Sequence, residues 1–220
     1  MVFIDIHTHK ENSEFDVFSI KNIYPNELKT DLNFPCSVGI HPWFINKSTY
    51  KSEIKIIEKN IRRENIISVG EIGLDKNSPD FELQKKVFVN QAKIADLSGK
   101  PIVIHCVKAY YDIISIIKKN KIRAPVIFHG FNGNKQIAKQ LIEHGYYLSF
   151  GKNLFNSNAK VTKIFPSLPI NKIFLETDDS KFNIIDIYKK AAELKQIDIN
   201  ELKSIVYRTY INSIGVLNHI

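Results

Sequence analysis

Six residues with imidazole or carboxylate side chains each come at the end of a short apolar run of the sequence. They are His7, His9, Glu71, His105, His129 and Asp178. Imidazole and carboxylate together are ligands that Zn²⁺, Mn²⁺ and Fe²⁺ prefer, and Mg²⁺ accepts them when more oxygen and water complete its shell. One such residue alone is more often a core histidine or a helix cap than a ligand. Six of them in equivalent positions predict a metal centre, because each would otherwise need a buried partner of its own.

The number of these residues bears on the number of ions. A catalytic ion keeps one position open for water, so six protein ligands are too many for a single ion. They suit two divalent ions about 3.5–4 Å apart with one carboxylate shared between them. The pair His7 and His9 fits such a site, because alternate residues of a strand point to the same side. The sequence therefore predicts a hydrolase with two divalent ions, Mg²⁺, Mn²⁺ or Zn²⁺.

The apolar runs themselves are typical of strands buried on both faces, because their apolar character is continuous and does not alternate. Seven runs are clear, and an eighth, weaker run lies at 17–20. The seven are 2–6, 38–40, 66–69, 102–104, 126–128, 147–150 and 173–175. In a closed barrel of parallel strands the carboxyl ends of the strands share one face, which is the face that carries active sites.

Stretches with helical spacing separate these runs. Ser78-Pro79-Asp80 resembles a helix start that ends at Gly99, and Asp198 with Glu201 resembles a capping box. Strands that alternate with helices predict a parallel sheet, and eight strands predict an α/β fold of the (β/α)8 TIM-type barrel class. The stretch 10–35 is too short for two strand–helix units, so we expect one helix to be missing or reduced near the N-terminus. We expect one hydrolase domain over residues 1–220.

Composition and net charge indicate the kind of substrate and the cellular compartment that suit this chain. The net charge of +8 and the pI of about 9.3 favour an anionic substrate, although the lysines are spread along the chain. Cys36 and Cys106 both lie in apolar runs, which suits buried thiols in a reducing compartment better than a disulfide. The sequence has no apolar run long enough to span a membrane and no signal peptide, so we expect a cytoplasmic protein without a membrane partner. No obligate protein partner is evident.

Several short motifs, taken in order and spacing, resemble a known family over nearly the whole chain. The motifs include Asp5-Ile6-His7-Thr8-His9, Gly39-Ile40-His41-Pro42-Trp43, Val69-Gly70-Glu71-Ile72-Gly73-Leu74-Asp75, His129-Gly130-Phe131-Asn132-Gly133 and Leu175-Glu176-Thr177-Asp178. The sequence resembles the TatD-type metal-dependent deoxyribonucleases of the amidohydrolase-like superfamily. The resemblance implies a (β/α) barrel that hydrolyses DNA or another phosphodiester with a hydroxide that two metal ions activate.

The resemblance also implies roles for individual residues. His7, His9, Glu71 and Asp178 would hold one ion. Glu71, His105 and His129 would hold the other, so that Glu71 bridges the two. Asp178 would act as a catalytic residue that accepts a proton from the attacking water, and Glu71 would be catalytic as the bridge.

Three further residues are predicted to contact the substrate. They are His41, Lys108 and Trp43. Lys108 stands where the family usually has arginine, which keeps the charge for a phosphate but loses the bidentate fork. Trp43 could stack on a base or anchor the core, and His41 could contact a phosphate or simply pack in its loop. For Glu176 two interpretations stay open, orientation of a metal ligand or pairing with a lysine.

Two other functions remain compatible with the residues. The first is hydrolysis of a C–N or ester bond in a small molecule, because one fold and one metal centre support several chemistries. The second is a binding protein with a degenerate centre, which the complete set of six candidate ligands disfavours.

Overall fold

The computed structural model describes residues 1–11, 14–28 and 32–215. Eight strands alternate with helices along the chain. The strands are β1 Phe3–Thr8, β2 Val17–Ile23, β3 Cys36–Val38, β4 Ile66–Asp75, β5 Ile102–Val107, β6 Val126–Phe128, β7 Tyr147–Phe150 and β8 Ile173–Leu175. The helices are α1 Tyr50–Asn60, α2 Phe81–Ser98, α3 Tyr110–Lys119, α4 Lys135–Glu143, α5 Lys160–Ile164, α6 Ile184–Lys195 and α7 Ile199–Ser213.

The order of the strands in the sheet is their order in the chain, from β1 to β8. The strand pairs β2–β3, β3–β4, β4–β5 and β7–β8 are all parallel. This arrangement confirms the predicted (β/α)8-barrel class. In the described part of residues 9–35 the only helical segment is a 3-10 turn at Pro25–Glu27, as the predicted loss of a helix requires. Residues 12–13 and 29–31 of that stretch lie outside the described residues.

The chain divides into two compact units, one made of residues 1–20 and 128–220 and the other of residues 21–127. In the first unit the backbone joins β1 to the segment after β8. The Asp178 N–H donates to the His7 carbonyl at 3.0 Å, and the His9 N–H donates to the Asp178 carbonyl at 3.2 Å. Behind β1, the hydroxyl of Tyr188 on α6 lies 3.1 Å from both the N–H and the carbonyl of Ile4.

In the second unit two buried glutamines of α2 hold the loops that leave the sheet. Gln84 and Gln91 are seven residues apart and so lie on one face of the helix. The Gln91 amide accepts from the Ile40 N–H at 2.7 Å and donates to its carbonyl at 3.2 Å. Gln84 makes the same pair of bonds to the backbone of Asp75. The two amides thereby fix the backbone beside His41 and at the end of β4.

Among the helices that the structure describes, none has both the length and the apolar character of a membrane span.

Gly73 is required where β4 passes closest to β5. Its φ is +154°, and a Cβ at this position would lie 1.9 Å from the carbonyl oxygen of His105. No rotamer can relieve a contact between a Cβ and a neighbouring backbone, so any other residue would push the two strands apart.

We expect Gly73→Ala to lower the free energy of unfolding by roughly 3 kcal/mol or more, in the range of severe core disruptions. Gly99→Ala is the matched control, because Gly99 also has a left-handed φ of +67° but its Cβ would meet nothing within 4 Å. The control should lose only about 1–2 kcal/mol, the cost of the left-handed conformation. Urea unfolding followed by circular dichroism measures both, and equal losses would contradict the close approach of the strands.

Candidate metal centre

The first unit brings together His7, His9 and Asp178. The Nε2 atom of His7 lies 3.8 Å from Oδ1 of Asp178, and Nε2 of His9 lies 3.6 Å from the same oxygen. One ligand atom from each of the three residues lies within 4.8 Å of the others. His7 is fully buried, whereas the other two side chains are partly exposed. The group therefore has one side that solvent can reach.

Local backbone structure explains this grouping. His7 and His9 alternate along the end of β1, and the bridge between Thr8 and Asp178 sets the third residue beside them. Asp178 has a φ of +53°, a left-handed conformation that aspartate tolerates better than most residues. Burial and the nearby charge of Glu176 raise the pKa of the Asp178 carboxyl above its ordinary value.

Asp5 supports the group of His7, His9 and Asp178 through hydrogen bonds to Thr177. Its carboxylate accepts from the Thr177 N–H at 2.9 Å and from the Thr177 hydroxyl at 2.6 Å, and that hydroxyl lies 2.8 Å from the hydroxyl of Thr8. Burial raises the pKa of Asp5 to about 7. These bonds join β1 to the residue next to Asp178. One signal for this role was present in the sequence, because Asp5 opens the Asp-x-His-x-His motif.

His129 lies in the same unit, next to a second buried carboxylate. Oε1 of Glu176 accepts from the Gly130 N–H at 2.6 Å and lies 3.6 Å from Nδ1 of His129. The ring of His129 is 4.4 Å from that of His7, centroid to centroid. Burial alone would raise the pKa of the Glu176 carboxyl, but His129 and His7 outweigh it and hold that pKa below its usual range. Of the two interpretations of Glu176, these contacts favour orientation of a histidine.

The second unit brings together His41, Glu71 and His105. Oε1 of Glu71 lies 3.1 Å from Nε2 of His41 and 2.8 Å from Nδ1 of His105. One ligand atom from each residue again lies within 4.8 Å of the others. The backbone of Glu71 is held by Asn22, whose side-chain oxygen accepts from the Glu71 N–H at 2.6 Å. No sequence pattern indicated Asn22.

The hydrogen bonds of His41 define its tautomer. Its Nδ1 accepts from the backbone N–H of Trp43 at 3.1 Å, so a neutral ring carries its hydrogen on Nε2. That hydrogen points at Glu71, and the side chain of His41 is only 5% exposed. His41 was predicted to contact a phosphate, and the structure places it as a donor to the Glu71 carboxylate.

His105 has a carboxylate at each ring nitrogen. Its Nδ1 faces Glu71, and its Nε2 lies 3.5 Å from Oδ2 of Asp75. Asp75 also accepts from the indole N–H of Trp43 at 2.6 Å and from the Asn77 N–H at 2.7 Å. Burial tends to raise the pKa of Asp75, but these hydrogen bonds and His105 lower it overall. Asp75 ends the Gly-Glu-Ile-Gly-Leu-Asp motif, which was the available signal for it.

The other two predicted substrate contacts lie around Asp75. The indole of Trp43 is 59% exposed, with its N–H bound to Asp75, so it is not a core anchor. Lys108 is exposed, and its Nζ donates to the side-chain oxygen of Asn77 at 3.1 Å. Both side chains are exposed and therefore accessible to a ligand. Neither belongs to the donor groups, which are His7, His9 and Asp178 in the first unit and His41, Glu71 and His105 in the second.

The prediction that each of the six candidate ligands lies at the carboxyl end of its strand is wrong for Glu71 and His105, which lie in mid-strand, whereas His7 is the second-last residue of β1. His9, His129 and Asp178 follow β1, β6 and β8. The other three, His7, Glu71 and His105, lie inside β1, β4 and β5. The physical reason for Glu71 is a register shift between Val69 and Ile72, after which β4 resumes its pairing with β5 and runs on to Asp75. Apolar character alone did not reveal that continuation.

The donor sets fit divalent metal ions. Each unit brings three imidazole or carboxylate atoms within 4.8 Å of one another, a mixture that suits Zn²⁺, Mn²⁺ and Fe²⁺. In the second unit hydrogen bonds engage both ring nitrogens of His41, so Glu71 and His105 are the ligands that this group can offer. Each group also includes a buried or partly buried carboxylate, which needs a positive partner. A bound metal ion would supply that partner.

The bonds to Asp5 can be tested through stability. Asp5→Leu removes the acceptor of a buried N–H and a buried hydroxyl, and we expect it to cost about 1–3 kcal/mol of unfolding free energy. Asp5→Asn keeps an oxygen for the Thr177 N–H, and its amide can donate to the Thr177 hydroxyl, so we expect it to cost less than Asp5→Leu. Urea unfolding of metal-free protein measures the difference, and equal midpoints for the two variants would contradict the network.

Comparison with known proteins identifies the family of this chain. The sequence model of the TatD related DNase family matches residues 12–213, a range that begins just after His7 and His9. The uncharacterized metal-dependent hydrolase MJ1582 of Methanocaldococcus jannaschii is 27% identical over 83% of this chain and 76% of its own length. The uncharacterized metal-dependent hydrolase YabD of Bacillus subtilis is 29% identical over 77% of this chain and 72% of its own length.

A solved structure agrees with the fold. The crystal structure of YJJV, a TatD homolog from Escherichia coli, has a TM-score of 0.82 over 98% of each chain, at 20% sequence identity. At that identity the likeness shows the fold alone. Because the family model covers most of the sequence, the chain belongs to the TatD related DNase family of metal-dependent hydrolases.

Proposed function

We propose that this protein is a deoxyribonuclease that hydrolyses phosphodiester bonds with two divalent ions, Mg²⁺, Mn²⁺ or Zn²⁺. The observation that carries the proposal is that imidazoles lie beside a carboxylate in each unit: His7 and His9 lie beside Asp178, and His105 lies beside Glu71. His41 belongs to the second group as the hydrogen-bond donor to Glu71. The description of the matched family as DNases supports DNA as the substrate. The net charge of +8 supports a polyanion, because cationic side chains that neutralise phosphates release counterions.

The proposed ligands follow the family resemblance. His7, His9, Glu71 and Asp178 would hold one ion, and Glu71, His105 and His129 the other. When bound, such ions supply Lewis acidity and lower the pKa of a water toward neutrality. The distances from His7 and His9 to Asp178, and from Glu71 to His105, support this assignment.

In this proposal the protein's own groups orient the ligands and move the proton. Asp178 accepts the proton of the attacking water, the role that the family resemblance implies for it. His41 donates to Glu71 and holds that carboxylate in place. Asp75 and Glu176 face the outer ring nitrogens of His105 and His129, the role that carboxylates play behind histidine ligands.

Lys108 and Trp43 are the proposed contacts to the substrate outside the donor groups. The ammonium of Lys108 can pair with a phosphate as a point charge. The exposed indole of Trp43 can cover a sugar or a base. We also propose that residues 1–220 act as one hydrolase domain and that the protein works in the cytoplasm, where the thiols of Cys36 and Cys106 stay reduced.

A C–N or ester hydrolase is the alternative function. The observation in its favour is the arrangement of Lys108, which donates to Asn77 and stands where the family usually has arginine. A site that binds phosphate through a single flexible lysine discriminates less strongly in favour of phosphodiesters. The assay therefore also needs amide and ester substrates, which test the C–N or ester hydrolase.

The substrate assay separates these functions. Purified protein with Mg²⁺, Mn²⁺ or Zn²⁺ is given single-stranded DNA, methyl p-nitrophenyl phosphate, and amide and lactone substrates. We expect hydrolysis of DNA and of the phosphodiester, each abolished by chelation of the metal. If both phosphodiesters stay intact with every metal while an amide or a lactone turns over, the nuclease proposal is wrong and the alternative is right.

The bridging role of Glu71 is tested by Glu71→Gln, which preserves the volume of the side chain but removes its charge. We expect the bound metal to fall from two ions per chain to one or none, measured by plasma emission spectrometry. Phosphodiester hydrolysis should fall by at least about 100-fold, because even the loss of an outer partner typically costs 10- to 100-fold.

Glu143→Gln on α4 is the matched control for Glu71→Gln. Glu143 is an exposed glutamate that pairs with Lys139 at the surface. The control should keep the metal content and activity of the wild type. Retention of two ions and full activity in Glu71→Gln would contradict the two-metal scheme.

A further inference from the structure

A cavity of about 360 Å³ lies beside His41 in the unit formed by residues 21–127. Its main lining residues are Tyr24, Pro25, Asn26, His41, Phe44 and Glu53. The volume falls in the range of roughly 300–1,000 Å³ that is typical of small-molecule sites. Neither the family resemblance nor the donor groups assign a role to this cavity.

Aromatic rings form its walls. The rings of Tyr24 and Phe44 meet edge to face with centroids 5.2 Å apart, and the ring of His41 lies 5.6 Å from that of Phe44. Phe44 is 56% exposed, which is a large exposed fraction for a phenylalanine in a pocket wall. A flat aromatic ligand would cover this surface and gain stacking geometry at the same time. Trp43, which was predicted to stack on a base, does not line this cavity.

The charge in the cavity disfavours a phosphate. Glu53 is the charged residue among the described residues that line it, and its Oε1 accepts from the hydroxyl of Thr49 at 2.8 Å. A fixed carboxylate repels an anion but accepts hydrogen bonds from N–H groups. Glu53 therefore favours an uncharged occupant that carries N–H donors.

The position of the cavity relates its occupant to the bond that is cleaved. His41 is at once a wall of the cavity and a member of the donor group with Glu71 and His105. A group that fills the cavity thus lies one side chain away from the candidate metal ligands. On the basis of the proposed function, we propose that the cavity holds the nucleobase of the nucleotide next to the cleaved phosphate, stacked on Phe44.

The experiment compares two ligands that differ only in the base. Isothermal titration calorimetry measures the binding of dGMP and of 2-deoxyribose 5-phosphate to the Mg²⁺-loaded protein. We expect the base to improve affinity by roughly 5- to 150-fold, the range of stacking contributions in single-strand binding proteins. In Phe44→Leu the ratio should fall close to one, with the affinity for 2-deoxyribose 5-phosphate unchanged. Phe44→Trp should keep the ratio.

Phe182→Leu is the matched control. Phe182 is a 40% exposed phenylalanine of the other unit, where it stacks on Phe155, and neither of these two rings lines the cavity. This variant should bind both ligands as the wild type does. A ratio near one in the wild type, or a ratio that survives in Phe44→Leu, would overturn the base pocket.

Two further compounds distinguish a failure of the base pocket from a failure of the proposed function. Butyl phosphate tests a general apolar pocket: if it gains as much affinity over 2-deoxyribose 5-phosphate as dGMP does, and loses it in Phe44→Leu, the occupant is not specifically a base. Methyl p-nitrophenyl phosphate contains no base and reports the proposed hydrolysis. Turnover of this ester together with a binding ratio of one overturns the base pocket alone, whereas the absence of phosphodiester turnover overturns the proposed function.

Discussion

The burial of the Glu71 carboxylate is the constraint on which the second unit depends. A carboxylate that is 4% exposed needs compensating partners, because an isolated buried charge is very unfavourable. The structure supplies His41 and His105 at 3.1 and 2.8 Å, and Asn22 holds the backbone. The close approach at Gly73 keeps β5 in register beside Glu71. The Gln91 amide of α2 holds the loop of His41 through the backbone of Ile40. Several contacts of this unit therefore fix the surroundings of the Glu71 carboxylate.

The same arrangement recurs behind the histidines of both units. Asp75 lies behind His105, and Glu176 lies behind His129, so an acidic residue faces one ring nitrogen in each case. A carboxylate in this position fixes the orientation of the ring and its tautomer, and makes the opposite nitrogen a better ligand. Both acids are buried, and both have a pKa that their partners hold below its usual range. In each case the supporting acid comes from a different strand than the histidine: Asp75 ends β4 and faces His105 of β5, and Glu176 follows β8 and faces His129, which follows β6.

Much of this could be predicted from the sequence. Continuous apolar runs gave the bounds of β6, β7 and β8 as the structure has them. Glu71 was misplaced because its strand continues past a register shift, and pairing between distant strands leaves no local pattern. The helix start at Ser78 was also misplaced. Asp80 has a left-handed φ of +56° and makes no cap bond, so α2 begins at Phe81. The contact of His41 with Glu71 joins the loop after β3 to β4. Spacing along the chain cannot reveal a contact between residues that lie 30 positions apart.

The position of Trp43 makes its fluorescence informative about the histidines around it. It is the single tryptophan of the 220 residues, so the ultraviolet emission of indole from this protein comes from one known place. Its N–H binds Asp75, and its ring meets the edges of His41 and His105 at 4.8 and 5.5 Å between centroids. Imidazolium and bound cations alter indole emission through the local electric field. The protein thus carries a built-in optical reporter for the protonation and loading of its own histidines.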